Sequence, residues 1–277
     1  MRHGGGPSPA PPAALDPGVV DRLQDNLLSW YAAHRRELPW RATTDPWAIL
    51  VSEIMLQQTQ VSRVLPKYSA FLDRFPTAAR LAAAPLPDVL AVWLGLGYNN
   101  RAVRLKRCAE AATDGLPSDL EGLRALPGVG PYTARAVLIF AANADLAAVD
   151  ANVRRVLTHE LDLPHDLSPT ALQSTAEAVL PHGRSRDWHN ALMDYGSLVL
   201  TSQATGIVPL TRQSPFAGSH RQRRARLLRL LLEHGPQSWT GAAAALELSL
   251  RDCRKVAESL GADGLVVLHD DRVTLRS

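Results

Sequence analysis

From Val19 onward the chain is a succession of short amphipathic stretches whose apolar residues recur at helical spacing. Proline marks the breaks between them, at Pro39, Pro46, Pro66, Pro76, Pro85, Pro117, Pro127, Pro164 and Pro181. Alternating β-branched runs are scarce, so the pattern predicts a mainly α fold, with helices over 120–125 and 133–142 among others. Residues 1–16, rich in Gly, Pro and Ala without apolar period, are expected to form a disordered tail. The segment 200–219 (LTSQATGIVPLTRQSPFAGS) interrupts the helical period and reads as a linker.

Beyond the linker the period returns. Helices are expected over 220–234, near 240–248 and over 250–260, followed by two short strands around Asp270 and Asp271. Three helices closed by a hairpin make a small winged-helix-like domain over 220–277, after a helical domain over 17–199. Such a domain would hold DNA through the 250–260 helix and the cluster Arg221, Arg223, Arg224, Arg226 and Arg229, unless those arginines are only a solvated face.

The formal charge is +3, yet the basic side is almost wholly arginine, with Lys67, Lys106 and Lys255 the only lysines. Guanidinium groups grip phosphate bidentately and stack on bases, which fits a nucleic-acid partner; codon bias in a GC-rich genome accounts for the same balance. Cys108 and Cys253 cannot supply four thiolates to a cluster or a zinc ion, so no iron–sulfur cofactor and no metal site are expected. No apolar run reaches the ~18 residues of a membrane span and no signal pattern opens the chain, so a soluble cytoplasmic protein, with no membrane partner, is expected.

Three segments carry candidate chemistry. In LPGVGPYTA (126–134), Gly128 and Gly130 permit a sharp turn, and the next helix offers free N–H groups to an anion, most naturally a DNA phosphate. In VDANVRRVL, Asp150 stands just ahead of a helix. It is placed to cap that helix and, as a fixed ionised carboxylate, to stabilise positive charge on a deoxyribose losing its base. In DPWAILVSEIMLQQTQV, Glu53 has Ile49, Leu50 and Leu56 one turn away. An apolar stripe favours the protonated carboxyl and general-acid work, although a buried Glu also serves as partner to an Arg. Gln57, Gln58 and Thr59 form a polar run apt for insertion into a base stack.

The strings LPWR (38–41), SEIMLQQTQV (52–61), LGLGY (94–98), LPGVGPYTA, VDANVRRVL and NALMDYG (190–196) resemble, in this order and spacing, the adenine DNA glycosylases of the MutY type, from about Leu27 to Thr201. The resemblance implies a two-lobed helix-hairpin-helix glycosylase fold. It also implies base excision repair of double-stranded DNA with a mispaired or damaged base, by a bacterial, nucleoid-associated monomer. By it, Glu53 protonates the departing adenine, Asp150 stabilises the oxocarbenium-like intermediate, and Tyr132 and Asn152 assist at the sugar. Arg41 shapes the base pocket, Gln58 fills the gap in the duplex, and Leu126, Gly128, Val129, Gly130 and Thr133 belong to the DNA-binding hairpin. Relatives that also cut the strand carry a Lys where this chain has Tyr132, so a monofunctional enzyme is implied. The target base must be flipped out to be detached.

The chain departs from that pattern in three places. The segment after NALMDYG lacks the four cluster cysteines, and Leu200, Ile207, Val208 and Leu210 are expected to pack in the cluster's stead. The usual second tyrosine after Tyr98 is Asn99, which alters the contact expected beside an oxidised guanine. The usual C-terminal domain resembling a nucleotide-hydrolase fold is replaced by the winged-helix pattern of a shorter bacterial form. The resemblance also admits a monovalent cation on hairpin carbonyls near 126–129. Removal of thymine or uracil opposite guanine, or lesion binding without catalysis, are the competing expectations.

Overall fold

The computed structural model describes residues 15–207 and 215–277. The expected tail over 1–16 falls outside it except for its end, where Asp16 accepts hydrogen bonds from the Gly18 and Val19 amides and caps the first helix.

In chain order the helices are α1 (Pro17–His34), α2 (Pro46–Leu56), α3 (Val61–Arg74), α4 (Ala78–Ala82) and α5 (Leu86–Trp93). Then come α6 (Asn100–Glu110), α7 (Leu120–Ala125), α8 (Pro131–Ala142), α9 (Ala151–Glu160) and α10 (Pro169–Ala178). They are followed by α11 (Ser185–Leu198), α12 (Ser202–Thr205), α13 (His220–His234), α14 (Trp239–Leu246) and α15 (Leu250–Ala262). The three strands are β1 (Gln237–Ser238), β2 (Val266–Leu268) and β3 (Arg272–Leu275). The mainly α expectation holds, and helices predicted over 120–125 and 220–234 fall on α7 and α13.

The chain forms two compact units, one of residues 1–46 with 130–212, the other of 47–129 with 213–277. In the first, α1 and α9 pack on α11 around Leu27, Val156, Leu157, Trp188 and Leu192. Full burial of each such side chain contributes roughly 1.5–3 kcal/mol. Leu200 and Ile207 are buried in the segment expected to replace the cluster; Val208 and Leu210 lie outside the described residues.

In the second unit, Phe71 packs edge-on to Phe75 and Trp93, with Leu81, Leu90 and Leu105 wholly buried. The C-terminal segment has the winged-helix order: α13, α14 and α15 pack together, and β2 and β3 form the hairpin. The strand β1, too short to show a period of two, pairs with the outer side of β3 and gives a sheet of order β1-β3-β2. Trp239 follows β1 directly and donates its indole N–H to the carbonyls of His269 and Asp270, pinning the hairpin turn.

Candidate active site

The first unit holds a cavity of about 670 Å³, lined among others by Tyr132, Arg135, Asp150, Arg154 and His165. Asp150 caps α9, as expected: its carboxylate accepts from the Asn152 and Val153 amides at 2.8 and 2.7 Å. A third bond comes from the Asn152 side chain at 3.0 Å. Despite these bonds, desolvation by burial raises the Asp150 pKa. The expectation of an ionised capping carboxylate thus meets an opposing force, because loss of water costs the charge more than three hydrogen bonds return.

Behind Asp150 stands a support that the sequence reading missed. Arg155 is buried one turn along α9 and donates to the Asn152 side-chain oxygen at 2.6 Å and to the carbonyls of Gly196 and Leu200. Asn152 is thereby fixed at both ends of its amide. Gly196 is glycine for a steric reason: a Cβ there would stand 2.8 Å from the Asn152 Cβ and 3.1 Å from its carbonyl oxygen. On the approach to Asp150, the buried His189 donates from Nδ1 to the Ser185 carbonyl and accepts at Nε2 from the Ala148 amide, 3.0 Å away. That pattern requires the neutral ring, and burial lowers the His189 pKa accordingly.

Arg41 ends a 3-10 turn over Pro39–Arg41 and makes a two-pronged pair with the fully buried Asp194, both bonds 2.8 Å. Asp194 also accepts from the Arg36 amide and guanidinium. Burial pushes the Asp194 carboxyl up, but the hydrogen bonds from Arg41 and Arg36 outweigh it and hold its pKa below the usual range.

In the second unit, Glu53 lies near the end of α2 and is buried, in a helix buried continuously from Trp47 to Met55. Gln57, Gln58 and Thr59 follow the last residue of α2 rather than extending it, and Gln58 is exposed in a left-handed conformation, φ 55°. A second left-handed residue, Tyr98 at φ 46°, ends the LGLGY loop, and Asn99 beside it is buried at the start of α6.

One buried side chain, absent from the sequence expectations, ties these segments together. Arg101 donates to the carbonyls of Ile54, Met55 and Gln57, to the Thr59 hydroxyl, and to the carbonyls of Leu96, Gly97 and Tyr98. Its guanidinium also lies 5.4 Å from the Trp93 ring centre and 5.5 Å from that of Tyr98. Burial lowers its pKa to about 10, so it stays charged at neutral pH. The only sequence signal for it was an arginine on the buried face of an amphipathic helix.

The hairpin runs from Leu126 to Gly130, with Leu126 and Val129 buried and the Val129 amide closing on the Leu126 carbonyl at 3.2 Å. Its two glycines differ. Gly128 has φ 82° and a Cβ there would meet the Arg104 Cβ at 2.8 Å, whereas Gly130 is extended, with open space where a Cβ would go. Pro131 opens α8, so its missing N–H costs the helix nothing, and Thr133 is buried in the first turn.

The cysteines do not fit an iron–sulfur cluster. Cys108 in α6 and Cys253 in α15 are both buried, and burial pushes the Cys108 thiol up to about 11. Among the described residues, no group of three or more His, Cys, Asp or Glu could hold a metal ion, and no helix is long and apolar enough to cross a membrane.

Residues 51–182 match the model of the HhH-GPD superfamily base excision DNA repair proteins. The chain is 40% identical over 268 residues to the adenine DNA glycosylase of Mycolicibacterium smegmatis, covering 87% of this chain and 91% of that one. It is also 40% identical over 234 residues to the adenine DNA glycosylase of Mycobacterium tuberculosis, covering 74% and 77%. A solved thermostable thymine-DNA glycosylase superposes with a TM-score of 0.62 at 28% identity, over 69% of this chain and 94% of that one. The fold and these matches define a helix-hairpin-helix DNA repair protein, and within that class the chain belongs to the adenine DNA glycosylase family.

Proposed function

We propose that the protein removes adenine mispaired with 8-oxoguanine or guanine by acid-assisted hydrolysis of the N-glycosidic bond. The observation that carries this reading is Asp150, held by three hydrogen bonds on the wall of a 670 Å³ cavity that it shares with Tyr132. A carboxyl group whose charge is costly in the free protein gains most from a cation forming beside it. Cleavage of the glycosidic bond produces such a cation on the deoxyribose.

Glu53 donates the proton that lets adenine leave as a neutral base. The pair of electrons of the C–N bond goes to the base; water then bonds to the cationic sugar carbon and releases a proton, which restores the acid spent on the base. Tyr132 stands where a lysine would form a Schiff base; without that amine, base release is not coupled to strand cleavage. The hairpin supports DNA binding through Gly130, where no side chain stands between the backbone and a phosphate, and through the positive dipole end of α8. Gln58, exposed and left-handed, is the residue that enters the base stack, with Thr59 anchored behind it.

Single-turnover assays over a panel of mispaired duplexes test the reading. Adenine release opposite 8-oxoguanine is expected from the wild type, with Glu53→Gln slower by about 10²–10⁴-fold but still binding the duplex. No adenine release from that pair sinks the proposal. The likeness to a thymine-DNA glycosylase at 28% identity favours one competing outcome, release of thymine or uracil opposite guanine. Lesion binding with no base released from any duplex would make the protein a sensor.

A further inference from the structure

A second cavity, of about 690 Å³, lies wholly within the second unit between the Leu94–Asn100 loop and α13. Its charge is one-sided. Among the described residues, Arg63, Arg221, Arg224, Arg226 and Arg229 line it, with Asp263 as the sole carboxylate, a balance of +4. The cavity around Asp150 carries Arg135 and Arg154 against Asp150 and Asp166, a balance of zero.

The arginines of α13 divide into two groups. Arg224 is spent on structure: it bonds to the Ser259 carbonyl at 2.9 Å, to the Ser259 hydroxyl and to Asp263, fastening α13 to the end of α15. Arg221 donates to the Tyr98 hydroxyl at 2.8 Å and lies 5.7 Å from the centre of that ring, bracing the loop on the opposite wall. Arg226 and Arg229 are exposed along the same wall, Arg226 with one donor on the Ala245 carbonyl at 3.2 Å, and Arg63 reaches across from α3 to the Gly95 carbonyl. At the rim, just before α13, Phe216 is 54% exposed, a ring that the fold leaves in water. Exposed aromatic surface beside a row of guanidinium groups suits one ligand chemistry, a nucleotide whose phosphate pairs with the arginines and whose unstacked base covers the ring.

The third helix of a winged-helix domain is the usual one to meet DNA. Here α15 is less suited: Arg251, Arg254 and Lys255 are offset by Asp252 and Glu258, and Arg254 stacks on Trp239 at 4.5 Å. We infer that the C-terminal domain meets DNA through α13 instead, and that the cleft between α13 and the Leu94–Asn100 loop holds an unstacked nucleotide of the bound strand. The inference rests on DNA being the partner, and binding measurements separate it from the excision reading.

The test is the salt dependence of affinity for a duplex carrying one unpaired dC, which offers no base for excision. Each phosphate contact contributes about 0.9 to the slope of log affinity against log salt. R226Q/R229Q is expected to lower the slope by about 1.8, and R251Q/K255Q by clearly less. Because both pairs lie on the surface, unchanged thermal melting accompanies the expected result. Phe216→Ala is expected to weaken the unpaired duplex about tenfold more than the fully paired one, the size of one stacking contact. A slope change in R226Q/R229Q no larger than in R251Q/K255Q overturns the assignment to α13. Equal losses for both duplexes with Phe216→Ala overturn the nucleotide site. Binding of free deoxynucleoside monophosphate, lost in R226Q/R229Q while the duplex slope stays intact, assigns the cleft to free nucleotides and also overturns it. Failure of the wild type to bind any duplex would instead remove DNA as the partner.

Discussion

Replacing Asp150 with Asn separates its capping role from its charge. Asn caps helices as well as Asp does, so the amides of Asn152 and Val153, at 2.8 and 2.7 Å, keep an acceptor. The bond from the Asn152 side chain at 3.0 Å loses its charged acceptor, at about 1 kcal/mol. Against that, the substitution deletes a carboxylate whose pKa burial raises above the ordinary 3.8. A raised pKa means that the folded state holds the proton more tightly than the unfolded chain. The wild type is therefore favoured below pH 3.8 by this group and loses stability as pH rises from there through the raised value. Asp150→Asn lacks that loss, so at pH 7 it should equal or exceed the wild type in stability. Asp150→Ala, deprived of both amide bonds, should fall about 1–2 kcal/mol below it, a drop of roughly 2–8 °C in melting temperature. Base excision should move the other way, with Asp150→Asn slower by about 10²–10³-fold. Melting curves from pH 4 to 8 alongside single-turnover assays check both. If Asp150→Asn melts as low as Asp150→Ala at neutral pH, or its difference from the wild type ignores pH, the account of a charge held at a cost is wrong.

The two hairpin glycines should respond differently to alanine. Gly128→Ala places a Cβ 2.8 Å from the Arg104 Cβ at φ 82°, and should cost about 1–3 kcal/mol by thermal melting. Gly130→Ala, with open space there, should melt within about 0.5 kcal/mol of the wild type but bind duplex more weakly in a titration. Arg101→Met strands six buried or half-buried carbonyls and should destabilise by about 3 kcal/mol or more, with proteolysis appearing first in the Gln57–Thr59 and Leu94–Tyr98 segments. Gly196→Ala should displace Asn152, lowering excision more than duplex affinity when the two are measured together.

Periodicity reports which face of a segment is buried, and caps report where it starts. That is why α7 and α13 could be read from the sequence close to their observed bounds, and why Asp150 could be recognised as an N-cap. The same signals fail for β1, whose two residues cannot display an alternation. They fail as well for the pairing of polar groups distant in sequence. Nothing in the spacing of Arg101 reveals that its acceptors are carbonyls more than 40 residues upstream, at Ile54 and Met55, rather than a carboxylate. Charge matching would have sought an acid for it, but its acceptors, apart from the Thr59 hydroxyl, are backbone groups left over where α2 ends and the Leu94–Asn100 loop turns.

The segment NALMDYG shows why such partners carry functional weight. Read alone, it is a helical string with one acid. In the fold, Asp194 pairs with both Arg41 and Arg36, and Gly196, two residues on, admits Asn152 and offers its carbonyl to Arg155. Two residues of one helix turn thus serve two different clusters, one at Arg41 and one at Asp150. The Arg41 guanidinium, expected to shape a base pocket, spends two of its donors on Asp194 at 2.8 Å. Any pocket role it has must be exercised from that fixed position, so Asp194→Asn should loosen Arg41 before it affects Asp150. Because Asp194 is held ionised by its two arginines, the stability it contributes is present above the ordinary 3.8 and is lost as pH falls through its lowered pKa, the reverse of the trend at Asp150. The two carboxylates of this unit therefore pull stability in opposite directions with pH. Separate titration of Asp150→Asn and Asp194→Asn would resolve the two slopes, and parallel pH profiles would refute the assignment of opposite signs.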